Sequence, residues 1–152
     1  MNKAIEMEHR PIVAIAILHQ DDRFLMQLRD NIPTIRYPGY WALFGGHLEP
    51  DEHPDQAVRR ELQEEIGHTP DRLTPLNIYA DNQVVRHVYY GQVSVDSGVL
   101  QLNEGWDMDW LTITDIQRGD HYSHRADQVR PVSPIHQQIL LDFIGDCSFI
   151  QI

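Results

Sequence analysis

Cysteine is all but missing from this chain. Cys147 is the only one in 152 residues, so an intramolecular disulfide and a cysteine-rich metal site are both excluded. A reducing, cytoplasmic setting is the expectation. Lysine is as scarce, Lys3 standing alone among 12 basic residues while arginine supplies the rest. Positive charge is short overall, with 23 acidic residues against those 12 and a net charge of −11. Nucleic-acid affinity comes largely from neutralising phosphates, so this balance disfavours nucleic acid as the main partner. No long hydrophobic run is present either. The stretch Ile12 to Leu18 falls far short of the ~20 apolar residues that span a bilayer. Met1 to Arg10 is polar, without the apolar core of a signal peptide, so no membrane partner is expected. Internal repeats, low-complexity segments and linkers are absent, and the expectation is a single domain over residues 1–152. Hydrophobic residues at 41% suffice for a real core in a chain of this length.

What the chain does have is acid at regular intervals. Residues 54 to 66 predict a helix opened by Pro54 and stopped by Gly67, with Asp51, Glu52 and Asp55 where negative charge suits the helix dipole. At roughly 100° per residue, Glu61, Glu64 and Glu65 share an arc of about 100°, beside an apolar stripe of Val58, Leu62 and Ile66. Carboxylates at these spacings repel, each pair costing on the order of 0.2–0.5 kcal/mol. A fold that keeps them together is expected to hold a hard cation, for which carboxylate oxygens are the preferred ligands.

The full pattern is Gly46-x5-Glu52-x7-Arg60-Glu61-Leu62-x-Glu64-Glu65-x-Gly67. It resembles the Nudix box, the signature of hydrolases that cleave a diphosphate linkage in nucleoside diphosphates attached to another group. Two slots differ. His68 stands where the family has an aliphatic residue, and Phe44, before Gly45-Gly46, where it often has proline. Neither departure removes a metal ligand. The resemblance implies that Glu61, Glu64 and Glu65 are catalytic residues holding Mg2+ (or Mn2+), with Gly46 adding its backbone carbonyl. Glu52 and Arg60 are then expected to form an ion pair that orients the carboxylates. Glu104 is a candidate proton acceptor, since some family members draw a ligand or base from a loop in this region; the other reading is a turn carboxylate in water. The resemblance also allows a homodimer.

Elsewhere the patterning is that of strands. Pro11 to Leu18 is apolar on both faces and predicts a central strand, returned by Arg23 to Arg29. Asp30 to Gly39 predicts a loop, Tyr40 to Phe44 a short strand. Leu73 to Tyr79, Gln83 to Val95 and Trp106 to Leu111 are further strands, the last preceded by an Asn103-Glu104-Gly105 turn. Thr112 to Gln117 reads as a helical turn, and Ile135 to Ile144 as a final helix. The expected class is α/β, a mixed β-sheet between helices, in agreement with the α/β/α sandwich that the resemblance implies.

For a small-molecule nucleotide substrate, Arg29 and Arg36, beside and within the Asp30–Gly39 loop, either meet phosphate oxygens, a contact for which arginine's fork is suited, or are solvated loop arginines. Trp41, with Tyr40, Tyr89 and Tyr90, either offers an aromatic face to a nucleobase or belongs to the core. Some relatives that cleave ADP-ribose carry a proline about sixteen residues past the box; none occurs from Leu76 to Arg130. A nucleoside triphosphate or a nucleotide sugar is favoured. The rival from another class is a Nudix-fold module that senses a nucleotide without cleaving it; such modules typically lose box carboxylates that this chain retains.

Overall fold

The computed structural model describes residues 10–94 and 100–146. Cys147 and Val95, the end of one expected strand, lie outside the described residues. Strand β1 (Ile12–Gln20) is the central one, as its two-faced apolar pattern requires. It runs parallel to β6 (Val85–Gln92) and antiparallel to β2 (Arg23–Leu28) and β4 (Phe44–His47), which makes the sheet mixed. The path across the sheet is completed by β3 (Trp41–Ala42) against β2 and β5 (Thr74–Ala80) against β6, with β7 (Asp107–Thr112) pairing β2.

Alternation along β1 sends successive side chains to opposite faces. Ala14, Ala16 and Leu18 meet Phe44 and the apolar stripe Ala57, Val58, Leu62 and Ile66 of helix α1 (Pro54–Ile66). Ile15 and Ile17 join the cluster that holds Ile116 of α2 (Ile113–Arg118) and Ile139, Leu140 and Phe143 of α3 (Pro134–Gly145). Each fully buried side chain of this size contributes about 1.5–3 kcal/mol. The result is the expected sandwich, α1 on one face and α2 and α3 on the other.

Two local differences from the sequence reading have clear causes. The single strand expected over Tyr40 to Phe44 is split, because the chain changes partner there: β3 pairs β2, whereas β4 pairs β1. Leu43, between them, donates its N–H to His136 Nδ1 at 3.0 Å. The second difference is a hairpin, β8 (Asp120–Ser123) with β9 (Gln128–Pro131), that forms a separate two-stranded sheet. Its sequence is too polar to show an apolar alternation. The hairpin is fastened instead by His121, whose two ring nitrogens lie 2.8 Å from Asp109 and 2.9 Å from Asp115.

Candidate active site

The acidic face begins with the start and end of α1. His53 N–H donates to Gln56 Oε1 at 3.0 Å, Pro54 occupies the first turn, and Gly67, at φ 66°, returns its N–H to Gln63. These caps fix where the helix starts and stops, and its phase turns Glu61 and Glu65 toward β4. There Gly45, at φ 140°, lies so close to Ala14 and Ile15 of β1 that a Cβ would collide with their backbone. A Cβ on Gly46 would stand 2.5 Å from Glu61 Oε1. The paired glycines therefore let the β4 backbone touch both the sheet and the helix carboxylates.

The three glutamates of the motif occupy different environments. Glu65 is buried at 3% exposure, its oxygens accepting from Gly45 N–H at 2.9 Å and Gln27 Nε2 at 3.0 Å. Burial, with the charge of Glu61 added, pushes its carboxyl up to about 8. Glu61 is also raised, mainly by burial. Glu64 points outward with 53% of its side chain exposed. Arg60 binds two of them, Glu61 and Glu64, together. Its Nη1 lies 3.1 Å from Glu61 Oε1 and 3.4 Å from Glu64, and its Nη2 donates to His47 O at 3.1 Å. Glu52, gripped by the same guanidinium, is held down to about 2, chiefly by that hydrogen bond.

Glu104 reaches the site through its neighbours. Asn103 donates from its backbone to Glu65 O and from its side chain to Glu64 O, each at 2.9 Å. Trp106 N–H donates to Leu28 O at 2.8 Å. The turn is thereby tied to the end of α1 on one side and to β2 on the other. Glu104 then lines a cavity of about 340 Å³ shared with Gly45, Gly46, Glu61, Arg29 and Arg36. A larger cavity of about 580 Å³, beside His68 and Arg72, contains none of the motif carboxylates.

The structure thus brings together most of the residues singled out from sequence, with one correction. Trp41 has no exposed surface: its ring is packed in the core and its Nε1 donates to His121 O at 2.9 Å. A side chain so enclosed offers no face to a substrate. Tyr89 is likewise buried. Residues that the sequence did not single out also line the cavity, among them Tyr37, Arg86 and His136. Gln27 supports Glu65 through its side-chain amide. Its one sequence signal is a lone amide in the apolar strand Arg23 to Leu28.

Carboxylates with a backbone carbonyl beside them are the donor set of a hard divalent cation, and the residues present fit Mg2+ or Mn2+ in kind. As the side chains stand, no three acidic, imidazole or thiol groups among the described residues converge on one metal position. Arg60 draws Glu61 and Glu64 to itself, while Glu65 is turned to Gly45 and Gln27.

A mixed sheet between helices, with an acidic helix set against paired glycines, defines a class of diphosphate-directed hydrolases. The family model described as NUDIX domain matches residues 8–131, and the chain belongs to this family. Membership supports a hydrolase acting on a pyrophosphate bond. Diphosphoinositol polyphosphate phosphohydrolase NUDT4B of Homo sapiens is 28% identical over 132 residues, or 85% of this chain and 66% of the relative. Nucleoside triphosphatase NudI of Salmonella arizonae is 41% identical over 61 residues, 40% of this chain and 42% of the relative. The chain therefore spans only part of the length of these curated relatives. Among solved structures, the MutT NUDIX hydrolase from Burkholderia pseudomallei superposes with a TM-score of 0.67 at 24% identity, covering 88% of this chain and 97% of that one. The NUDIX domain of Shewanella oneidensis NrtR, complexed with ADP ribose, gives 0.67 at 20% identity, with 95% and 98% covered. These likenesses establish the shared fold. Among the described residues no helix is long and apolar enough to cross a membrane.

Proposed function

We propose that the chain is a metal-dependent pyrophosphohydrolase that cleaves the diphosphate linkage of a nucleotide, with a nucleoside triphosphate or a nucleotide sugar favoured. The observation that carries this reading is one cavity lined together by Glu61, Glu104, Arg29, Arg36, Gly45 and Gly46. Acids and guanidiniums around one small space suit a cation and the phosphates it accompanies. The relatives' names add a nucleoside triphosphatase, a diphosphoinositol polyphosphate phosphohydrolase and an ADP ribose complex. Their substrates or ligands share a phosphoanhydride and differ in what is attached to it, which supports the bond and leaves the appended group open.

Glu61, Glu64, Glu65 and the Gly46 carbonyl would hold Mg2+, or Mn2+ in its place. When bound, the cation supplies charge neutralisation at the diphosphate and makes water more acidic. The chain's own residues do the rest. Arg60 holds Glu61 and Glu64 together, Glu52 fixes Arg60, and Gly45 and Gln27 hold Glu65. Arg29 and Arg36 receive phosphate oxygens, so that an overall acidic protein does not repel its substrate. Glu104, on the cavity wall, is the candidate to take a proton from the attacking water. In-line displacement at phosphorus relies mostly on positioning and charge, which such a set provides. The test is to replace Glu64 or Glu65 with Gln and assay any nucleotide the wild type cleaves. Turnover should fall by orders of magnitude while circular dichroism stays native; full activity would overturn the assignment.

A further inference from the structure

Besides its carboxylates, the same cavity is lined by donors. Arg29 at the end of β2, Arg36 in the following loop, Arg86 of β6 and His136 of α3 all contribute to its wall. Arg29 and Arg36 have no carboxylate within ion-pair distance among the described residues. Arg86 is only 4% exposed and is held by Asp81 at 3.0 Å, so its guanidinium has one fixed place. In a chain of net charge −11, Arg29 and Arg36 are thus the cations of this cavity that no ion-paired carboxylate matches.

His136 makes the wall more selective. Leu43 N–H donates to its Nδ1 at 3.0 Å, so the ring proton sits on Nε2, which can then only donate. Burial, and the charges of Arg86 and Arg29, push its pKa down to about 3 and keep the ring neutral at physiological pH. Guanidinium and imidazole N–H groups have no acceptor to offer. A sugar hydroxyl or a base amine placed against them would leave its own hydrogen unpaired, which costs about 1–3 kcal/mol when buried. A phosphoryl group, whose oxygens only accept, leaves nothing unpaired and gains bidentate contact with arginine. Val13, Ile15 and Val84 also line the cavity and supply apolar surface for the body of the ligand.

We infer that this wall is a subsite for a phosphoryl group additional to the scissile diphosphate, with Arg86 and His136 as its specificity-determining residues. The inference rests on the pyrophosphohydrolase reading of the same cavity and narrows its substrate class to nucleotides with a further phosphate.

Matched pairs differing by one phosphate test it: ADP-ribose with its 2′-phosphate, dephospho-coenzyme A with coenzyme A, and a nucleoside diphosphate with its triphosphate. Affinities are measured by calorimetry with Mg2+ on the Glu64→Gln variant, and kcat/KM on the wild type. In at least one pair the more phosphorylated member should bind about tenfold tighter or better, tenfold being 1.4 kcal/mol. Arg86→Gln and His136→Phe, each in the Glu64→Gln background, should reduce that preference to near one while changing affinity for the less phosphorylated member less than about twofold. If one of them fails to fold by circular dichroism, the other decides. Equal affinities within every pair, or a preference that survives substitution, would overturn the inference. Turnover by the wild type without any such preference sinks this proposal alone. A preference in binding without turnover of anything sinks the hydrolase reading and leaves the subsite standing.

Discussion

Arg60 and Glu52 meet as a two-pronged ion pair, Nε 2.8 Å from Oε2 and Nη2 2.9 Å from Oε1, eight residues apart and across the start of α1. The third nitrogen of the same guanidinium reaches Glu61 and Glu64. One planar group thus links the loop before the helix to two carboxylates on it. Lysine, with a single ammonium, cannot reproduce that fork. Arg60→Lys and Glu52→Gln are expected to lower kcat by about tenfold or more, since misplacing catalytic groups by an ångström has effects of that order. Unfolding midpoints should shift little, because partly exposed ion pairs contribute only ~0–1 kcal/mol. Wild-type kcat in both variants would show the pair to be a surface feature.

The two adjacent glycines should fail in different ways. Gly45→Ala forces a Cβ into the β1 backbone at a positive φ, so it is expected to lower the unfolding midpoint sharply. Gly46→Ala meets the side-chain carboxylate of Glu61 rather than backbone, at an ordinary φ, and should lower the midpoint less than Gly45→Ala does while activity falls. Thermal melts and rates on both variants check the contrast.

Glu65 gives a pH signature. Its folded carboxyl is raised from 4.5 to about 8, so the folded state holds a proton that the unfolded chain has released. That contribution to stability is full below pH ~4.5 and is lost as pH rises through about 8. Glu65→Gln keeps the neutral form at every pH. In chelator, its melting temperature relative to wild type should therefore climb between pH 5 and pH 9 by several degrees, given about 2–4 °C per kcal/mol for a chain of this size. A constant difference would contradict the buried, proton-holding state.

Trp41 separates core from substrate site. Trp41→Phe removes the donor to His121 O and part of a fully buried ring. The expected cost is about 2–3 kcal/mol, combining a lost hydrogen bond with a small cavity. KM should be unchanged. A large rise in KM with normal stability would return this residue to the substrate site.

Much of this was legible in the sequence because the information is local. The spacing of Glu61, Glu64 and Glu65 needs only the helical period, and the two-faced run of β1 needs only alternation. What periodicity cannot tell is depth: Glu64 and Glu65 are neighbours, yet one is largely exposed and the other is sealed beneath β4 and Gln27. Arg86 and His136 were invisible for a different reason. They reach the cavity through the β1–β6 register and the seating of α3, contacts between distant parts of the chain. Trp41 suits a stacking site and a core equally well by residue type, and only the packing around it decides for the core. The hairpin Asp120–Ser123 with Gln128–Pro131 has no apolar alternation, and its anchors, Asp109 and Asp115, lie outside it.

The most direct test of the central claim is release of phosphate or pyrophosphate from a nucleotide panel with Mg2+ or Mn2+, alongside a chelator control. The panel spans nucleoside triphosphates, nucleotide sugars, ADP-ribose and dinucleoside polyphosphates, with a coupled phosphatase revealing products that release neither ion. The account predicts metal-dependent cleavage of one class well above the rest, abolished by chelator. Nucleotide binding with no cleavage of any member would contradict it and point to a sensor built on the same fold.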